Sequence, residues 1–136
     1  MAIARGERGV HETPGKASTK RINEYLATVS MAPNDEIPWC SAFVNWVMRK
    51  ANLPGAGKAR ARSWLSYGAA IDPPKPGAIA VLWRGKPTAA TGHVGFYIGE
   101  EDAEHVLLLG GNQANAVNVS SYPKNRVLAY RWPDGQ

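Results

Sequence analysis

Cysteine is almost absent from this chain of 136 residues: there is one, Cys40. A single cysteine cannot close an intramolecular disulfide or build a cysteine-rich zinc site, so a disulfide scaffold and a zinc finger are both excluded. Long apolar runs are also missing. No stretch approaches the roughly 18 apolar residues of a membrane-spanning helix, so membrane insertion is not expected. The first nine residues carry Arg5, Glu7 and Arg8 with no apolar run behind them, which is unlike a secretory signal. The expectation is a protein made in the cytoplasm that needs another route to any target outside it. There is no internal repeat and no low-complexity tract. Acidic residues are the minority, 11 against 16 lysines and arginines, for a net charge of +5. That excess favours an anionic partner such as a cell wall, a membrane surface or nucleic acid. The basic residues are scattered apart from Lys58, Arg60 and Arg62, and they do not alternate with aromatics, so nucleic acid is not expected. With one cysteine, three separated histidines and no acidic cluster at ligand spacing, no metal or other cofactor is expected.

What is present fits one globular domain over residues 1–136: 44% hydrophobic and 20% charged residues can build a single core. Residues 1–17 read as irregular or one short turn. Ser18 or Thr19 can cap a first helix, in which Ile22, Tyr25, Leu26 and Val29 share one face. Pro38 suits the first turn of a second helix carrying Trp39, Phe43, Trp46 and Val47, which should end before Pro54-Gly55. A shorter third helix is predicted over 59–67. Beyond Pro73-Pro74 the period changes to two. Strands are predicted over 78–83, 93–99, 105–109, 116–120 and 126–132. Helices first and about five strands second imply an α+β domain with an antiparallel sheet.

Cys40 falls in the first turn of the second helix, where the partial positive charge of the helix N-terminus stabilises a thiolate. A thiolate is the species that attacks a carbonyl, and first-turn N–H groups can bind the oxyanion that results. Most lone cysteines are instead inert apolar side chains. The histidines discriminate. His11 and His105 sit in polar surroundings and read as surface residues. His93 opens a strand in Thr91-Gly92-His93-Val94-Gly95. Val94, Phe96 and Ile98 should face the core, and His93 should face the other way, toward a cleft formed with the helix. Cys40 and His93 then make a nucleophile and base pair. A third group orients the base in such sites. Asn112, in Gly110-Gly111-Asn112-Gln113, is the first choice. A regular ladder points it away from His93, and an extra turn residue or a bulge at the glycine pair corrects that. Gln113 is the second choice.

At these residues the sequence resembles the NlpC/P60 and CHAP group of bacterial papain-like cysteine hydrolases, most closely the CHAP-like branch found in phage and secretion-linked effectors. The specific pieces are Trp39-Cys40-Ser41-Ala42-Phe43 and Gly92-His93-Val94-Gly95. Glu12-Thr13-Pro14-Gly15, Ala61-Arg62-Ser63-Trp64-Leu65, Pro76-Gly77-Ala78-Ile79 and Gly110-Gly111-Asn112-Gln113 follow the group's order across almost the whole chain. The resemblance implies a papain-like fold and roles for Cys40, His93 and Asn112 as nucleophile, base and orienting residue. It also implies peptidoglycan amide or peptide bonds as substrate. Two departures stand out: the third residue is often histidine or glutamate in the group, and no calcium-binding acidic loop precedes Cys40 beyond Asp35-Glu36.

The sequence reading is therefore a peptidoglycan hydrolase acting as a monomer. It would be a stem-peptide endopeptidase or an N-acetylmuramoyl-L-alanine amidase, of phage-lysin or antibacterial-effector type. It would work in the periplasm or wall after delivery by a secretion machine or lysis, and an immunity protein or the delivery machinery is the candidate partner. Asn34, Trp39, Ser41, Trp64, Trp83 and Gln113 are the candidates for oxyanion or substrate contacts. The rivals are a cysteine protease toxin acting on a protein and a catalytically inactive wall-binding module.

Overall fold

A computed structural model describes residues 2–10, 24, 25, 28, 39–53, 55, 61–83, 92–113 and 116–133. Among the described residues, α1 (Ala2–Gly6) and α2 (Cys40–Lys50) precede six strands: β1 (Ala69–Ala70), β2 (Ile79–Trp83), β3 (Gly92–Glu100), β4 (His105–Gln113), β5 (Ala116–Pro123) and β6 (Val127–Trp132). Short 3-10 turns occupy Ala61–Ser66 and Lys124–Arg126. The strands form one sheet in the order β1-β6-β2-β3-β4-β5, antiparallel at every pairing. This is the α+β class that helices first and strands second imply.

α2 stops where Asn52 takes φ 60, a left-handed conformation that asparagine tolerates, and its N–H bonds back to Arg49 O at 3.0 Å. The third helix forms as the 3-10 turn Ala61–Ser66. α1 supplies the short turn anticipated in residues 1–17. Of the helix expected from Ser18, only Glu24 and Tyr25 are described as helical, and the rest lies outside the described residues. β4 runs on to Gln113 rather than stopping at Leu109, because Gly110 still pairs with Asn118. β1, two residues long, is too short to show alternation and was not anticipated.

The sheet buries both faces, each in period two. On one side Ile79, Val81, Val94, Phe96 and Leu109 meet Phe43, Val44 and Val47 of α2. Phe43 and Phe96 pack edge to face with ring centroids 6.4 Å apart. Each such side chain contributes roughly 1.5–3 kcal/mol of burial, so this interface fixes α2 on the sheet. On the other side Ala80, Leu82, Tyr97, Val106 and Leu108 form a second cluster, covered by Tyr122, Tyr130 and Trp132.

Candidate active site

Cys40 is the first residue of α2 and is 4% exposed. The first turn of α2 holds no acidic residue and the last turn holds Arg49 and Lys50. The charges at both ends therefore leave the positive N-terminal potential at Cys40 uncancelled. The helix start is seated by a missing side chain. A Cβ on Gly111 would lie 2.6 Å from Trp39 Cζ3 and 2.8 Å from Phe43 Cβ, so only glycine lets this turn rest directly on β4.

His93 is 1% exposed. It pairs across the sheet with Leu82, and cross-strand partners share a face. Its ring stacks on Tyr122, with centroids 5.2 Å apart at 27°. It therefore leaves β3 on the Leu82 and Tyr97 side. α2 packs on the opposite side, against Val94 and Phe96. This corrects the expectation that the helix would border His93's own face. The apolar face of α2 claims the apolar face of β3, and the period of two sends His93 the other way.

His93 Nε2 lies 2.9 Å from Gln113 Oε1 and 3.3 Å from the Tyr122 hydroxyl. The orientation of the Gln113 amide follows from its surroundings. Gln113 Nε2 donates toward three oxygens, Leu108 O at 3.2 Å, Asn118 O at 2.8 Å and Asn118 Oδ1 at 2.9 Å. With nitrogen committed there, oxygen faces the imidazole. Oxygen can only accept, so His93 Nε2 carries the proton and Nδ1 is the basic nitrogen of the neutral ring.

A break in the β4–β5 register between Gly110 and Gln113 brings this about: Gly110 pairs with Asn118, then Gln113 with Ala116. A Cβ on Gly110 would stand 2.7 Å from Gln113 Oε1, so the glycine makes room for the amide. The irregularity expected at the glycine pair is present, and Gln113, the second candidate, is the residue whose contact with His93 is described. The side chain of Asn112 lies outside the described residues, as does Asn34.

The other candidates are dispersed. Trp39 is fully buried and stacks on Tyr25 with centroids 5.8 Å apart. Trp64 is fully buried and donates from Nε1 to Ser41 Oγ at 2.8 Å, which ties the turn Ala61–Ser66 to α2. These three pack the core. Trp83 is half-buried, donates to Asn125 O at 3.1 Å, and has the Arg126 guanidinium 5.5 Å from its ring centre. Sequence reasoning missed Asn118 and Tyr122. Their signal was the run Asn118, Ser120, Tyr122, polar or hydroxylated residues at alternate positions on one strand.

His105 lies in the turn side of β4, where Glu101, Asp102 and His105 offer ligand atoms within 4.8 Å of one another. The sequence had suggested no acidic cluster at ligand spacing, and the β3–β4 turn brings this one together. Asp102 is already engaged: its Oδ1 accepts from Glu104 N at 2.8 Å and faces His105 Nδ1 at 2.9 Å. The Glu104 N–H, followed by His105, holds the Asp102 carboxyl below its ordinary value, and hydrogen bonding to Asp102 raises His105 above its own.

Comparison with known proteins agrees with this architecture. The family model described as CHAP domain matches residues 32–112. No curated protein matches the chain. Among solved structures, a protein similar to lipoprotein of the NLP/P60 family, from Staphylococcus aureus subsp. aureus Mu50, superposes with a TM-score of 0.55 at 16% identity. That match covers 99% of this chain and 40% of the other, so the chain spans well under half the length of that neighbour, and the likeness is one of fold.

Proposed function

The chain belongs to the CHAP domain family, and on that footing we propose that it is a peptidoglycan hydrolase cleaving an amide bond by thiol chemistry, with Cys40 as nucleophile and His93 as base. Gln113 takes the orienting role for which Asn112 is the first candidate by sequence. The observation that carries the reading is the bond between Gln113 Oε1 and His93 Nε2, which leaves Nδ1 as the nitrogen that exchanges protons. Nδ1 takes the Cys40 thiol proton, and the thiolate attacks the amide carbonyl carbon. First-turn N–H groups of α2 stabilise the oxyanion. The C–N bond breaks as Nδ1–H protonates the leaving amine. Water, giving a proton to Nδ1, then attacks the thioester, releasing the acid and restoring the thiol.

The substrate class rests on the family and on charge. A chain of +5 is drawn to the carboxylates of peptidoglycan. A stem-peptide endopeptidase is favoured over an N-acetylmuramoyl-L-alanine amidase, with action in the periplasm or wall after delivery by a secretion machine or lysis. Digestion of purified sacculi followed by mass spectrometry of the released fragments tests this. New stem-peptide termini support the endopeptidase, and free lactyl groups support the amidase. No fragments, together with killing through Cys40 on cytoplasmic expression, would point to a protein target instead.

One observation favours a second reading, an inactive wall-binding module. Cys40 and His93 are both buried, and α2 and the His93 ring lie on opposite sides of β3. Iodoacetamide separates the two readings, since a cysteine coupled to a base alkylates well below the pH that an ordinary thiol needs.

A further inference from the structure

Gln113 can orient His93 only if something orients Gln113, and the residue that does so is one strand further on. Asn118 holds it at three points, two of them through its side chain; the third is its main-chain carbonyl, 2.8 Å from Gln113 Nε2. Asn118 Nδ2 donates to the Gln113 main-chain carbonyl at 2.8 Å, and Asn118 Oδ1 accepts from Gln113 Nε2 at 2.9 Å. The first contact stands where the β4–β5 register breaks, so a side chain bridges the irregular stretch. The second, with the main-chain carbonyls of Leu108 at 3.2 Å and Asn118 at 2.8 Å, commits the amide nitrogen away from the imidazole. Asn118 is itself set by Ser120 Oγ, 2.7 Å from its Oδ1. A primary amide is the one side chain of this size that offers both a donor and an acceptor to the two ends of the same residue.

We propose that Asn118 is a positioning residue that clamps Gln113 and thereby sets the His93 tautomer with Nε2 protonated and Nδ1 basic. The inference rests on the hydrolase reading for its consequence in catalysis, and on geometry alone for its effect on the tautomer. Asn118→Asp keeps the shape of the side chain and an acceptor for Gln113 Nε2, but it replaces the Nδ2 donor with a carboxylate oxygen that repels the Gln113 carbonyl and pushes Gln113 out of place. A packing role would survive that change; a clamp would not.

The test is nitrogen NMR of protein carrying 15N-histidine, recorded above the imidazole pKa, beside the pH profile of sacculus hydrolysis. The wild type is expected to show His93 as a single tautomer protonated at Nε2. Asn118→Asp is expected to show mixed tautomers and a kcat reduced on the order of tenfold, less than the roughly 10²–10⁴-fold of removing a general base. Asn118→Ala carries the same expectation should the aspartate variant fail to fold. A variant that folds, keeps the single tautomer and keeps the wild-type pH profile overturns the proposal. Mixed tautomers in a protein whose wild type releases nothing from sacculi would uphold the clamp while sinking the hydrolase reading.

Discussion

Gly110→Ala separates the geometry of the site from the stability of the fold. Gly110 does not adopt the left-handed backbone that Gly9, Gly68 and Gly77 use, so alanine is conformationally admissible. Its Cβ would stand 2.7 Å from Gln113 Oε1, against the 3.4 Å at which ordinary contact begins, a shortfall of 3.4 − 2.7, or about 0.7 Å. Should the oxygen yield by that amount away from His93, the 2.9 Å bond lengthens to about 3.6 Å, outside hydrogen-bond range. The neighbouring backbone is little disturbed, since the Cβ clears Gly95 Cα at 3.5 Å. Losing one buried hydrogen bond costs about 1–3 kcal/mol. Restricting the unfolded chain returns about 0.4–1 kcal/mol. The protein should therefore stay folded, with a lowered Tm, while sacculus hydrolysis falls on the order of 10–100-fold, short of losing the base outright. Paired calorimetry and turbidity-clearing assays measure the two quantities. A folded Gly110→Ala protein with wild-type kcat would refute the argument that Gln113 Oε1 matters to His93.

His93→Ala should lower hydrolysis by about 10²–10⁴-fold, with Gln113→Ala less affected and Asn112→Ala nearer to wild type; a crippled Asn112→Ala beside an active Gln113→Ala would reverse the assignment of the orienting residue. Hydrolysis should survive EDTA, and loss in EDTA with rescue by calcium would show that Glu101, Asp102 and His105 or another group holds an ion the chemistry needs. The Asp102 and His105 pair should stabilise the β3–β4 turn only between two limits. Asp102 is lowered, so its contribution is present above its unfolded pKa and fades as pH falls through the folded one; His105 is raised, so its contribution is present below its unfolded pKa and fades as pH rises through the folded one. Tm measured from pH 3 to 8 should flatten in Asp102→Asn, and NMR titration should bring His105 back toward the ordinary histidine value of 6.5; an unmoved His105 would contradict the pairing.

Strands were the most legible elements, because β2 and β3 alternate cleanly: Ile79 and Val81 against Ala80 and Leu82, Val94 and Phe96 against His93 and Tyr97. The start of α2 was legible from helical spacing after a Pro-Trp pair. Alternation gives the two sides of a strand but not which side the helix takes, since both faces of this sheet are covered by apolar residues. That is why alternation places His93 on its face of β3 but does not identify the neighbour it meets there. The choice between Asn112 and Gln113 turned on a local register break, which depends on how Gly110 and Gly111 accommodate Gln113 and Trp39. Glycines mark where such a break can occur, while its register is set by contacts distant in sequence. The clamp by Asn118 was hidden for the same reason, as its partners come together only once β4 and β5 pair.

The central claim is that Cys40 is the nucleophile, and the most direct measurement is the release of soluble fragments from purified sacculi by wild-type protein and by Cys40→Ala. Cys40 is small and lies at a helix end, so its truncation should leave the far-UV spectrum and the melting transition in place. The account predicts steady release by the wild type and none above background by Cys40→Ala. Equal release by a folded Cys40→Ala protein would contradict it.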